Sequence, residues 1–254
     1  LALGALGTQT SHAQRLGLPK VINRFDLNYN MLMGEDADSL QTTIKGLGSV
    51  KFNMGFQYRL YFGETGMYFS PGLMLALNEF RFKDNISLYN QAQIKGQNLS
   101  DSLRILTDNA DNHQYGKSKL QLMYARLPLE LGFATQKLNF AAGGFVDVLL
   151  NAKHKRKYRD TDANDTRVRE VLRGNENFLT NIIQYGVTAR VEYNGIGLFA
   201  HYNLSELFQS GKGPKVNMFQ VGLSFTQGSA RKKAKSNLFE VPEEAPEERP
   251  ERGS

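Results

Sequence analysis

Val50-Lys-Phe-Asn-Met-Gly-Phe-Gln-Tyr-Arg-Leu-Tyr-Phe62 decides the fold. Val50, Phe52, Met54, Phe56, Tyr58, Leu60 and Phe62 fall on one side, and Lys51, Asn53, Gly55, Gln57, Arg59 and Tyr61 on the other. A period of two residues is the signature of a β-strand with two unlike faces. Working outward, the same period recurs at Phe25–Met33, Met67–Leu77, Lys119–Phe133, Leu138–Ala152, Asn181–Tyr193, Ile196–Leu204 and Val216–Thr226. Together these make eight segments. Pro71 in the third calls for an edge or a bulge. The apolar phase of the fourth slips near Ala125–Arg126, which predicts a bulge there.

The connections carry as much information as the strands. Gly63-Glu-Thr-Gly66, Ala134-Thr-Gln-Lys137 and Asn194-Gly195 are short, and the last is a two-residue hairpin signal. Residues 34–49, 83–118, 153–180 and 205–215 break the alternation and read as long loops. Short and long links therefore alternate along the chain, as in an antiparallel meander whose turns cluster at one end and whose loops cluster at the other. Segments of this length match the roughly 9–11 residues that cross a bilayer at a tilt. The polar faces hold Gly, Asn, Gln, Ser and Thr rather than the Lys and Glu of a soluble surface. The apolar faces keep Phe, Tyr, Leu and Met to the strand ends. The reading is an all-β, eight-stranded antiparallel up-and-down transmembrane β-barrel; a soluble lipocalin-like barrel is the competing architecture.

Of 254 residues, 41% are hydrophobic and 22% charged, with a net charge of +6 and no cysteine. That composition excludes a disulfide scaffold and Cys-ligated metal sites. His12, His113, His154 and His201 are too scattered for a metal cage. Leu1-Ala-Leu-Gly-Ala-Leu-Gly7 reads as the end of the apolar region of a secretory signal, with cleavage expected after Ala13. The domains are then a signal-peptide remnant at 1–13, a barrel at 14–227 and a disordered periplasmic tail at 228–254. The tail carries six cations, six anions and three prolines, a composition that cannot bury a core. Its one apolar cluster, Leu238, Phe239 and Val241, suits docking into a partner's groove or sheet edge.

Tyr124-Ala-Arg-Leu-Pro-Leu-Glu-Leu-Gly-Phe133, followed after a short turn by Phe140-Ala-Ala-Gly-Gly-Phe-Val-Asp-Val-Leu-Leu-Asn-Ala-Lys153, resembles the PorT-like outer-membrane β-barrel family of Bacteroidota-type bacteria. Tyr185-Gly-Val-Thr-Ala-Arg-Val-Glu-Tyr193 and Leu198-Phe-Ala-His-Tyr-Asn-Leu-Ser205 also fit. The resemblance covers roughly residues 20–226. It implies an eight-stranded barrel without a single shared activity; some relatives serve the type IX protein secretion system.

Asp26, Lys51, Arg59, Arg126, Glu130, Asp147, Arg190 and Glu192 fall on the polar faces. An unpaired buried charge is costly, so Arg59, Arg126, Glu130, Arg190 and Glu192 are expected to form an ion-pair network plugging the lumen. Glu130 should find its cation among Arg59, Arg126 and Arg190. His201 is expected to pack in the lumen. Lys153-His-Lys-Arg-Lys-Tyr-Arg159 is a basic run. If the long loops face outward, Lys153, Lys155, Arg156, Lys157 and Arg159 sit at the lipopolysaccharide headgroup level, where they can bind phosphates or an acidic polymer. The alternative is a solvated strand extension balanced by Asp160, Asp162 and Asp165. Gly143-Gly144 and Gly211-Lys-Gly-Pro214 lack the strand-to-helix context of phosphate loops.

The expectation is a non-enzymatic barrel of the cell outer membrane, with both termini in the periplasm and no cofactor, metal or nucleic-acid partner. It would serve as a structural or accessory subunit of an envelope protein complex of the secretion or outer-membrane assembly type. Its partners would be outer-membrane lipid, lipopolysaccharide, and other outer-membrane or periplasmic subunits. A stand-alone small pore or solute-uptake channel, or an outer-loop adhesin or enzyme, is the alternative.

Overall fold

The computed structural model describes residues 20–38, 44, 50–83, 86–93, 100–107, 113–161 and 166–228. In chain order the strands are β1 (Lys20–Met33), β2 (Val50–Tyr61), β3 (Met67–Phe82), β4 (Ile86–Asn90), β5 (Leu103–Thr107), β6 (His113–Ala134), β7 (Leu138–Asp160), β8 (Thr166–Arg173), β9 (Ile183–Tyr193), β10 (Ile196–Asn203) and β11 (Asn217–Gly228). Eight of them, β1, β2, β3, β6, β7, β9, β10 and β11, pair antiparallel in a ring. β1 against β11 closes it, with Phe25 opposite Phe225. Closure satisfies every ladder without leaving an edge, which is what a sheet in hydrocarbon requires.

Alternation sorts the side chains inside out. Phe25, Leu27, Met54, Phe56, Leu129, Leu131, Phe140, Tyr185, Leu198 and Phe225 point away from the barrel and are exposed, whereas Arg24, Asp26, Asn53, Gln57, Glu130, Arg190 and Gln220 are buried inside it. A continuous apolar wall of this size has no stable place in water. It is the lipid face of a membrane barrel.

The short turns are built as their residues dictate. At Asn194-Gly195 both residues have positive φ, 51° and 85°, the twist that matches a tight hairpin. The turn after β2 is tied by the Thr65 hydroxyl donating to the Phe62 carbonyl at 2.8 Å.

Three sequence expectations are corrected. The segments 83–118 and 153–180 are not plain loops. β4 and β5 pair as a separate hairpin, and β8 pairs with the far half of β7. β6 and β7 run 22 and 23 residues, well past the wall. The expected bulge at Ala125–Arg126 is absent: β6 keeps Leu120, Leu122, Tyr124, Arg126 and Glu130 inside without a break. The apolar residues change face because the inward positions change from apolar to polar along the strand. The register shift lies opposite, where Leu150 of β7 is skipped between Asn151 and Leu149. Pro71 makes neither an edge nor a bulge. The β2–β3 ladder lapses between Gln57–Gly72 and Leu60–Phe69 and resumes in the same register, as expected where a residue has no N–H to give.

Candidate functional site

The lumen has two zones. From the short-turn end to mid-barrel it is polar and charged. Four guanidinium groups, Arg24, Arg59, Arg126 and Arg190, share it with four buried carboxylates, Asp26, Glu130, Asp147 and Glu192. The Glu130 carboxylate, 1% exposed, accepts from Arg24 Nη1 at 2.7 Å and from Arg190 Nη2. Arg24 Nε donates to Asp26 Oδ1 at 2.9 Å. Arg190 also faces Glu192 at 3.0 Å, and Arg59 reaches Glu192 at 3.4 Å. Arg126 holds Asp147 through two parallel bonds of 2.7 Å, the fork geometry that makes such pairs strong. Its guanidinium lies 4.2 Å from the Phe145 ring centroid and Nη1 donates to His201 Nδ1 at 2.6 Å. His201 is further packed against Phe199, ring centroids 4.6 Å apart.

The five residues expected to form the network are therefore brought into one lumen, though not as one cluster. Arg126 is engaged by Asp147, not by Glu130, and Arg59 belongs to Glu192. Glu130 has Arg190 as a partner and a second cation, Arg24, that the sequence reading passed over. Alternation alone places Arg24 beside Asp26 on the inward face of β1, so the signal was present. The side chain of Lys51 lies outside the described residues.

Toward the long-loop end the lumen is apolar. Leu32, Phe80, Phe82, Leu120, Leu122 and Met218 from the wall meet Ile86 and Leu88 of β4, Leu103 of β5, and Phe178, Leu179, Leu207 and Phe208 of the connections. The β4–β5 hairpin and these connections cap the barrel mouth. The cap encloses a cavity of about 20 Å³ lined by Leu32, Phe80, Phe82 and Phe208, room for about a single water. Asn90, 1% exposed, clamps the cap. Its Nδ2 donates to Asp101 Oδ1 at 2.9 Å and to the Glu176 carbonyl at 3.0 Å, and its Oδ1 accepts from the Ala92 and Ser102 amides. Asp101 also meets Lys212 at 3.2 Å.

The basic run divides between two faces. Lys153, Lys155, Lys157 and Arg159 alternate onto the outer face of the β6–β7–β8 sheet. Arg156 does not belong with them: it points to the opposite face and pairs with Glu170 at 2.7 Å. Leu238, Phe239 and Val241 lie outside the described residues. Among the described residues no group of three or more His, Cys, Asp or Glu side chains is arranged to hold a metal ion. No helix among them is long and apolar enough to cross a membrane.

A polar, ion-paired interior inside an apolar wall of eight closed strands defines a transmembrane β-barrel. The chain belongs to the outer membrane protein beta-barrel domain family, which it matches over residues 22–209, and it is an outer-membrane protein. Among solved structures it is similar to the N-terminal β-barrel domain of Pseudomonas aeruginosa OprF, with 11% identity, 82% of this chain and 97% of that chain covered, and a TM-score of 0.25. It is also similar to a mutant porin of Rh. blastica, with 13% identity, 82% and 99% coverage, and a TM-score of 0.17. No curated protein matches it significantly.

Proposed function

We propose that this protein is a closed, non-enzymatic barrel that acts as a PorT-like accessory subunit of an envelope complex of the secretion or assembly type. The observation that carries the reading is the filled lumen. Among the described residues four cations and four anions occupy one zone, and an apolar cap occupies the other. Eight strands enclose only enough space for side chains, so a barrel filled in this way serves as an anchor and a surface rather than a conduit. The long-loop end faces the exterior and the termini face the periplasm, as an even strand count with periplasmic short turns requires. There the apolar cluster Leu238, Phe239 and Val241 supplies a docking motif for an outer-membrane or periplasmic partner.

The alternative of a small pore has one observation in its favour. Asn53 and Ser70 are buried with side-chain polar atoms that have no hydrogen-bond partner, a lining that water can wet. Planar-bilayer recording separates the two readings. The closed barrel gives no stable ohmic conductance, and a stable open level overturns it. In parallel, deletion of residues 230–254 is expected to leave the folded, heat-modifiable band intact and to reduce co-purification of envelope partners at least several-fold. Full retention of every partner would reduce the tail to a spacer.

A further inference from the structure

The outer face of the β6–β7–β8 sheet is a lattice of like charges. Lys117 stands opposite Lys157, and Lys157 opposite Arg169; Lys119 stands opposite Lys155, and Lys153 opposite Arg173. Directly opposed side chains on a sheet are about 5 Å apart, and like charges in that position destabilise the pairing. Among the described residues the carboxylates beside this face, Glu79 and Glu170, are already engaged; Asp162 and Asp165 lie outside the described residues. Glu79 is held by Arg81 at 2.5 Å and by Lys119 at 2.6 Å, and Glu170 by Arg156 on the opposite face. Lys117, Lys153, Lys155, Lys157, Arg169 and Arg173 are left facing one another. The crowding is felt by Lys155, whose ammonium sits below the ordinary lysine value through loss of solvent and then through Arg169, Lys157, Lys119 and Lys153.

The position of the lattice matters as much as its charge. It continues the lipid-facing side of the barrel: Leu150, 54% exposed, ends the apolar wall on β7, and Lys153 begins the cationic face three residues on. At about 3.4 Å per residue the first row lies roughly 10 Å along the tilted strand from the last wall residue, a rise that reaches the headgroup layer. The long stems of these side chains let the charges reach down to it.

We propose that this face binds the phosphates of an anionic outer-leaflet glycolipid of the lipid A type, forming a collar at the headgroup level. Cations about 5 Å apart across strands and about 7 Å apart along them allow one phosphate to bridge two or three cations. The bound phosphate then supplies counter-charge to cations that, among the described residues, face one another. The collar rests on the loop end facing outward, as argued above.

The test uses the full chain refolded into phosphatidylcholine nanodiscs doped with bisphosphorylated lipid A or with the same lipid dephosphorylated, with retained lipid read by native mass spectrometry. The expected result is at least tenfold more retention of the bisphosphorylated lipid. A K153Q, K155Q, R173Q triple variant should lose at least tenfold of that retention. Removing opposed like charges should also make the variant at least as heat-resistant as the parent when no lipid A is present. Should it fail to fold, K153Q with R173Q makes the same test on the row nearest the wall alone. Equal retention of the two lipids, retention unaffected by the substitutions, or displacement by inorganic phosphate at low millimolar concentration overturns the assignment. A protein that closes and inserts yet shows no phosphate preference sinks the collar alone. A protein that gives no heat-modifiable barrel at all sinks the membrane reading beneath it.

Discussion

At the residue scale, the lumen illustrates how a charge becomes tolerable inside a barrel. Glu130 bridges Arg24 on β1 and Arg190 on β9, strands on opposite sides of β11 and β10 in the ring. Removing the carboxylate leaves two guanidinium groups facing each other out of water. Breaking a buried pair in this way costs about 3–5 kcal/mol, so Glu130→Leu should lower the temperature at which the folded band converts to the unfolded one on a gel. An unchanged transition would mean that Asp26 and Glu192, which also face Arg24 and Arg190, balance the two arginines without Glu130. Close packing sets a second constraint nearby. A Cβ at Gly132 would stand 2.4 Å from the Tyr68 hydroxyl and 2.7 Å from the Phe140 carbonyl, and that hydroxyl is the group that donates to Asn139 at 2.6 Å. Gly132→Ala should therefore weaken the barrel at its short-turn end, read as a lower unfolding temperature. A variant with the parent's unfolding temperature would show that Tyr68 moves aside freely.

At the element scale, the β4–β5 hairpin is held by a few polar contacts over an apolar seat. Asn90→Ala removes four hydrogen bonds at one buried side chain, a local loss of about 1–3 kcal/mol. Amides of β5 should exchange about tenfold faster in that variant, while β1 and β11 exchange as before; no change in β5 would place the holding force in Leu88 and Leu103 alone. The same hairpin responds to acid. The Asp101 carboxyl is held below the ordinary aspartate range, first by the Asn90 amide and then by Lys212. A value lower in the folded state than in the unfolded one means that these contacts contribute fully above the ordinary range. The contribution fades as the pH falls from about 4 toward the lowered value. Exchange from β5 should rise over that interval, and Asp101→Asn should flatten the rise.

At the scale of the whole molecule, the barrel has one end of short turns and one of long connections. The chain contains no cysteine, so single cysteines report orientation cleanly. A membrane-impermeant maleimide on intact cells should label exposed positions of the loop end, Arg104→Cys and Ser210→Cys, and spare Thr65→Cys and Asn194→Cys. The reverse pattern would invert the topology, and with it place the cationic collar on the periplasmic side.

What the sequence determined by itself is what local periodicity can carry. Each strand's alternation is written within ten or so residues, and so are its lipid-facing side and its short turns; the ring follows from strands joined in meander order with nowhere for an edge to go. Hence Val50–Phe62 already announces the wall, and Asn194-Gly195 already announces a hairpin. Only the tertiary structure decided which charges meet, because barrel closure brings together residues as distant in the chain as Arg24 and Glu130. It also decided that the inner half of β6 is apolar where the cap rests and charged below. Whether an inward position wants Leu120 or Glu130 depends on what lies across the lumen, and no pattern along one strand records that. The long β6–β7 extension escaped notice for a related reason: beyond the hydrocarbon its outer face has no acyl chains to meet, so the apolar alternation that marks a spanning strand gives way to lysine.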